Sequence, residues 1–349
     1  MTRLSDEPEI VTLASELGLD WRSNAVTAIV AFCVTKIAKW IKEHGPVATI
    51  AELEHVVCER LGLTFEEIRE DDDLERIVQK YVAQREYGFA GLRHDFDEST
   101  FAAVLRRNNA EPHASDQFVA VVDCRGPKAA RAFFSRWHEI AHLLTLPHQR
   151  QFTFHRSTTE RPPTERLMDE IAGEIGFYDP IFRPAVVDAV RRAGTLTLDV
   201  VGEIRQLHCP EASFQATLIA CAMRAPIPAI YVEAEMAFKK QELAHIRSGQ
   251  GELFPTDRPK AKLRARVAVA NEAAGAAGLR IDRNMQVPES SVIHELWMAR
   301  NGSDEPVHAA AIENLADWKH SNGESVGDLD VRVEARRVPD KVIALVTVA

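Results

Sequence analysis

The sequence predicts an α+β protein: a mainly helical first part with a small antiparallel sheet, then a smaller α+β segment. Three observations predict it. Stretches 24–44, 49–61 and 72–88 carry apolar residues at helical spacing. Short runs at 89–96, 101–108 and 117–124 instead combine aromatic and β-branched residues between turn formers. Strand-like alternation returns at 263–271, 307–315, 328–338 and 341–349.

Taken in order, the first helix (24–44) stops at Gly45-Pro46, which cannot continue it. The second runs to Leu61 and ends at Gly62. The third has Asp72 or Asp73 as its expected cap. The three short runs read as the strands of the antiparallel sheet. A helix then opens near Ala129 and stops before Pro147. After a polar loop, the next helix is expected to be capped by Thr164 and to end before Pro180. Further helices are expected at 184–193, 199–208 and 210–224, then a strand at 229–236 and a polar helix to 248. "RSGQGELFPTDRPK", 247–260, is rich in Gly, Pro and charge and reads as a linker. The last segment holds four strands and one helix at 290–302. The expected organisation is therefore a helical extension (1–48), a central domain (49–246), the linker, and a C-terminal α+β domain (261–349).

Composition narrows the function classes. Of 349 residues, 46% are hydrophobic and 27% charged, enough for a packed core. The net charge of −10 argues against a surface that coats nucleic acid. Five scattered cysteines without a CxxC pair argue against a disulfide framework and for a reducing compartment. No basic region precedes an apolar run at the N-terminus, so a cytoplasmic protein is expected.

The stretch "FFSRWHEIAHLLTLP", 133–147, carries the chemistry. His138 and His142 are one helical turn apart, so both imidazoles project from one face toward a single metal ion. Glu139 lies beside them, placed to take a proton from water. A lone His-Glu-x-x-His also arises by chance. Its weight here comes from the apolar helix around it and from a third donor on the next helix. There, Glu165 and Asp169 share a face. Glu165 is the expected third ligand, and Asp169 the acceptor that orients a ligating histidine. The competing assignment leaves Glu165 solvated in a first helical turn, where the dipole favours carboxylates.

With "RWHEIAHLL" (136–144) and "ERLMDEIAGEI" (165–175), the chain resembles the ImmA/IrrE family of metallopeptidases over roughly residues 50–240. The resemblance implies a zincin-like domain with Zn²⁺ as cofactor. It also implies cleavage of a helix-turn-helix transcriptional repressor in stress, DNA-damage or anti-phage responses. Some members carry a GAF-like sensor domain, which the C-terminal segment could supply. The general layout is nearest the CBASS-associated, CapP-like branch. The sequence departs from the family at Arg136-Trp137, and at "IGFYDP" after the second helix.

Other residues invite roles with plainer alternatives. Cys124, at the end of the strand before the motif helix, is a candidate inhibitory zinc ligand or a small buried residue. Cys209 beside His208 is a second such candidate. His148 and His155, in the loop between the two site helices, could steady an intermediate or simply be solvated. The strand before the motif helix is expected at the sheet edge, where a substrate could pair with it. Alternation puts Lys260, Lys262, Arg264 and Arg266 on one side of a strand, suited to single-stranded DNA or to a solvated face. The rival functions are a non-catalytic binding protein with a peptidase fold and a DNA-linked regulator. The second helix of a helix-turn-helix at 199–224 lacks the polar face that base reading needs.

Overall fold

The structure is a computed structural model that describes residues 3–97, 99–109, 116–145, 162–247, 259–299, 308–320 and 324–349. It is α+β with two small sheets, and the chain divides into two compact units: residues 1–182 with 206–213, and residues 183–205 with 214–349. Among the described residues, no helix is long and apolar enough to cross a membrane.

The first unit begins with α1 (Pro8–Glu16), α2 (Ala25–His44) and α3 (Ile50–Leu61). Both ends of α3 are written locally. The Thr49 hydroxyl accepts from the Glu52 amide at 3.1 Å, the Glu52 carboxylate accepts from the Thr49 amide, and Gly62 closes the helix at φ 64°. Thr49→Ala is expected to cost about 1 kcal/mol, read as a lower midpoint in urea with an unchanged slope.

Two expectations about the first sheet fail. β1 (Leu63–Ile68), which starts directly after Gly62, has no counterpart in the strand reading. Its two consecutive glutamates hide the pattern, and its pairing partner lies more than fifty residues away. After α4 (Asp71–Ala83), the run 89–96 forms a 3-10 turn and the short α5 (Leu92–Asp95) rather than a strand. Phe89 and Leu92, three apart, both turn into the core formed by Ile77, Val78 and Tyr81, and the Tyr81 and Phe89 rings stack at 4.2 Å. The α4 cap also differs: Glu70 is the cap residue, while Asp73 accepts from the amides of Arg69 and Glu70 at 2.8 Å.

The sheet is therefore mixed, in the order β1-β3-β2. β3 (Phe118–Asp123) lies in the centre, parallel to β1 and antiparallel to β2 (Ala102–Arg106). All six β3 residues are buried, as expected of a strand flanked on both sides. This overturns its expected place at the edge, because a substrate cannot pair with a strand whose two neighbours are already taken.

A 3-10 turn (Gly126–Arg131) then leads into α6 (Ala132–Thr145), which is buried from Ser135 to Thr145. α7 (Pro163–Gly176) packs on it. Pro162 caps α7 and Pro163 takes its first position, so the start is set by prolines and not by Thr164. Close packing is visible at Gly176, where a Cβ would come 3.0 Å from the Trp137 ring. α2 packs against both site helices, and its Lys36 ammonium donates to the Leu144 carbonyl at 3.3 Å, near the last turn of α6. The N-terminal helices thus belong to the same compact unit as the motif.

The second unit takes up most of α8 (Asp179–Ala193), α9 (Leu198–His208) and α10 (Phe214–Arg224), then β4 (Ala229–Ala237) and α11 (Lys240–Arg247). β5 (Lys262–Ala270), α12 (Glu272–Ala276), α13 (Val292–Met298), β6 (His308–Asn314), β7 (Asp330–Val338) and β8 (Lys341–Val348) follow. The five strands form an antiparallel sheet in the order β5-β4-β8-β7-β6. One sheet face, with Val232, Val333 and Val346, packs with Leu279, Ile293 and Trp318 into the core.

The expected boundary between residues 246 and 261 is displaced. β4, assigned to the central domain by its place in the sequence, lies between β5 and β8 in the second sheet. Asn271 pins it there: its side-chain oxygen accepts from the Ala229 amide, and its amide nitrogen donates to the carbonyls of Ala222 and Ile227. The expected linker lies almost wholly outside the described residues.

Candidate metal centre

α6 is buried all round, yet it carries Arg136, His138, Glu139 and His142. Burying such groups is costly unless each has a partner or a task. Arg136 has partners. Its guanidinium pairs with Glu54 on α3 at 3.0 Å, with Glu67 on β1 at 3.4 Å, and with Glu211. Burial pushes the Glu54 carboxyl up, and Arg136 opposes that shift. Arg136 therefore ties the motif helix to three other segments. Its anchoring role is invisible in the sequence because its partners lie 69 to 82 residues away.

The two histidines meet a carboxylate from α7. His138 Nε2 lies 3.2 Å from His142 Nε2 and 3.0 Å from Glu165 Oε2, and His142 Nε2 lies 3.4 Å from Glu165 Oε1. Both imidazoles are 1% exposed. Ligand atoms about 2.0–2.1 Å from a tetrahedral ion stand roughly 3.3 Å from one another, so this spacing suits one zinc-sized cation. Among the described residues, His138, His142 and Glu165 are the group of metal-ligating side chains that converges in this way.

Protonation favours binding. His138 Nδ1 lies 3.0 Å from Asp169 Oδ1, an acceptor that would hold the ring proton on Nδ1 once Nε2 meets a metal ion. Burial draws His142 down to about 4; Glu165 pulls it up and the charge of His138 adds to the lowering. The ring is thus neutral near pH 7, the form that binds metal. Burial raises the Glu165 carboxyl, but its bonds to His138 and His142 outweigh that and hold it below the usual carboxylate range. Glu139 follows His138 on the helix and is wholly buried. Removing the orienting carboxylate by Asp169→Ala is expected to weaken zinc binding 10- to 100-fold in competition with a chelating dye.

The other candidates are not part of this cluster. Cys124 sits beside Glu67, Arg69 and Arg136. Burial and Glu67 push its thiol up to about 11, and it is not among the side chains that converge with His138, His142 and Glu165. Cys209 is buried. His148 and His155 lie outside the described residues. The basic row does not form a free face. Arg264 is 1% exposed and donates to the carbonyls of Ala237 and Asn284, and Arg266 pairs with Glu235 at 3.0 Å. A register shift between Glu233 and Ala234 breaks the simple alternation of β5 on which the row depended. Lys260 and Lys262 stay exposed. Sequence reading missed Lys36, Arg136 and Gly176. Of these, only Gly176 carries a local signal, a glycine in the last turn of a helix.

In comparisons with known proteins, no family model matches the chain and no curated protein matches it.

Proposed function

We propose that this chain is a zinc-dependent endopeptidase of the ImmA/IrrE type that cuts a dedicated partner, a helix-turn-helix repressor, in a stress or anti-phage response. One observation carries the hydrolase reading: His138, His142 and Glu165 converge from two helices while Glu139 is buried beside them. The repressor as substrate rests on the resemblance of residues 136–144 and 165–175 alone. The five-stranded antiparallel sheet of the second unit supports a GAF-like sensor.

His138, His142 and Glu165 would hold the zinc, and Asp169 keeps the His138 ring in register. Zinc bound there supplies a Lewis acid that polarises the scissile carbonyl and acidifies water. Glu139 accepts the proton of the attacking water on its carboxylate and returns it to the leaving amide nitrogen. Its burial excludes bulk water, which strengthens each of these electrostatic interactions. The packing of Trp137 on Gly176 sets the distance between the two ligand-bearing helices.

The test combines two measurements on protein purified without chelator: zinc content, and cleavage of the regulator encoded beside this gene. Stoichiometric zinc with cleavage that o-phenanthroline stops is the expected result. Metal-free protein, or an intact regulator with fully metallated protein, would overturn the respective half of the proposal.

A further inference from the structure

An open cleft of about 1000 Å³ lies in the first unit, at the C-terminal end of the mixed sheet. Its walls come from the last residue of β3 (Asp123) and the segment after it (Arg125, Lys128), from Phe96 and Phe101 ahead of β2, and from Arg131. Crevices beyond the carboxyl ends of parallel strands are common binding places, and β1 and β3 are such a pair.

The charges in the cleft are nearly all committed. Asp123 is buried and accepts from Arg125 Nη2 at 2.8 Å and from Lys128 Nζ at 2.9 Å. Asp71 pairs with Arg125 at 3.0 Å. The Asp97 carboxylate accepts from Ser99 and Thr100 in its own turn. Arg131 differs: among the described residues it makes no hydrogen bond or ion pair. Its guanidinium lies over the Phe101 ring at 4.7 Å, which fixes its plane and leaves its N–H groups open to the cleft.

Arg131 closes the 3-10 turn that leads into α6, seven residues before His138 and eleven before His142. Seven residues of helix correspond to about 10 Å, the span of roughly three residues of extended peptide.

We propose that this cleft is a specificity subsite of the peptidase, in which Arg131 receives an acidic side chain of the substrate about three residues from the cut bond. The guanidinium offers a planar two-pronged donor that matches a carboxylate. Phe101 and Phe96 give the methylene stem an apolar wall. The subsite rests on the peptidase reading, and its test separates the two.

The probe is a positional-scanning library of blocked nonapeptides with one position fixed as Glu, Gln or Lys. Binding is measured on full-length, zinc-loaded protein carrying Glu139→Gln, so that nothing is cut. Glu is expected to be retained about tenfold better than Gln at one position, with Lys disfavoured. Adding Arg131→Glu should reverse the order to favour Lys, with an unchanged melting temperature because Arg131 is exposed. No charge preference at any position, a preference that survives Arg131→Glu, or no peptide retained would overturn the subsite. If the wild-type protein cuts the library with no charge preference, the subsite fails and the peptidase stands. If peptides bind with the Glu preference but the zinc-loaded wild type leaves them whole, the peptidase reading fails and the acidic-peptide site stands.

Discussion

Glu139→Gln is expected to lower cleavage of the partner about 10³-fold while the protein keeps its zinc. The substitution preserves shape and leaves the three ligands untouched, but an amide cannot take a proton from water. General acid–base groups contribute roughly 10²–10⁴-fold, and Glu139 is assigned both the uptake and the return of the proton. Its burial makes the prediction sharp, because bulk solvent cannot stand in for a missing base at a site of zero exposure. The measurement is single-turnover cleavage next to elemental analysis of the same sample. Wild-type rates in a zinc-loaded Gln variant would remove Glu139 from the chemistry.

Glu165→Ala is expected to abolish stoichiometric zinc and the stability that zinc confers. A ligand present at about a thousand times its dissociation constant stabilises the folded state by about 4 kcal/mol. At roughly 2–4 °C per kcal/mol for a unit of this size, chelating the wild-type protein should lower its Tm by about 10 °C. The Glu165→Ala variant should melt at one temperature with or without added zinc, whereas the Glu139→Gln variant should keep the full zinc-dependent shift. A zinc-induced shift in Glu165→Ala equal to that of the wild type would show that the third ligand lies elsewhere.

These two expectations differ in how they could be read. The position of Glu139 relative to His138 and His142 is a property of one helix, so five consecutive residues suffice to state it. The place of Glu165 needs a second helix. Its four-residue spacing from Asp169 shows that the pair shares a face, but not that this face meets the histidines. The structure brings Glu165 Oε2 to 3.0 Å from His138 Nε2 and Asp169 Oδ1 to 3.0 Å from His138 Nδ1. Both carboxylates therefore reach the same imidazole, one at each ring nitrogen.

Local signals determined the capped helix α3, the motif helix α6 and the two carboxylates one turn apart on α7, because helical period, caps and glycine stops act over a few residues. Tertiary structure alone decided that β3 is central, that β4 joins the second sheet, that Arg264 is buried and that Arg136 is clamped by three glutamates. Strand order and ion-pair partners come from contacts between residues far apart in the chain. Their energy depends on which surfaces are buried together, and no window of neighbouring residues contains that information.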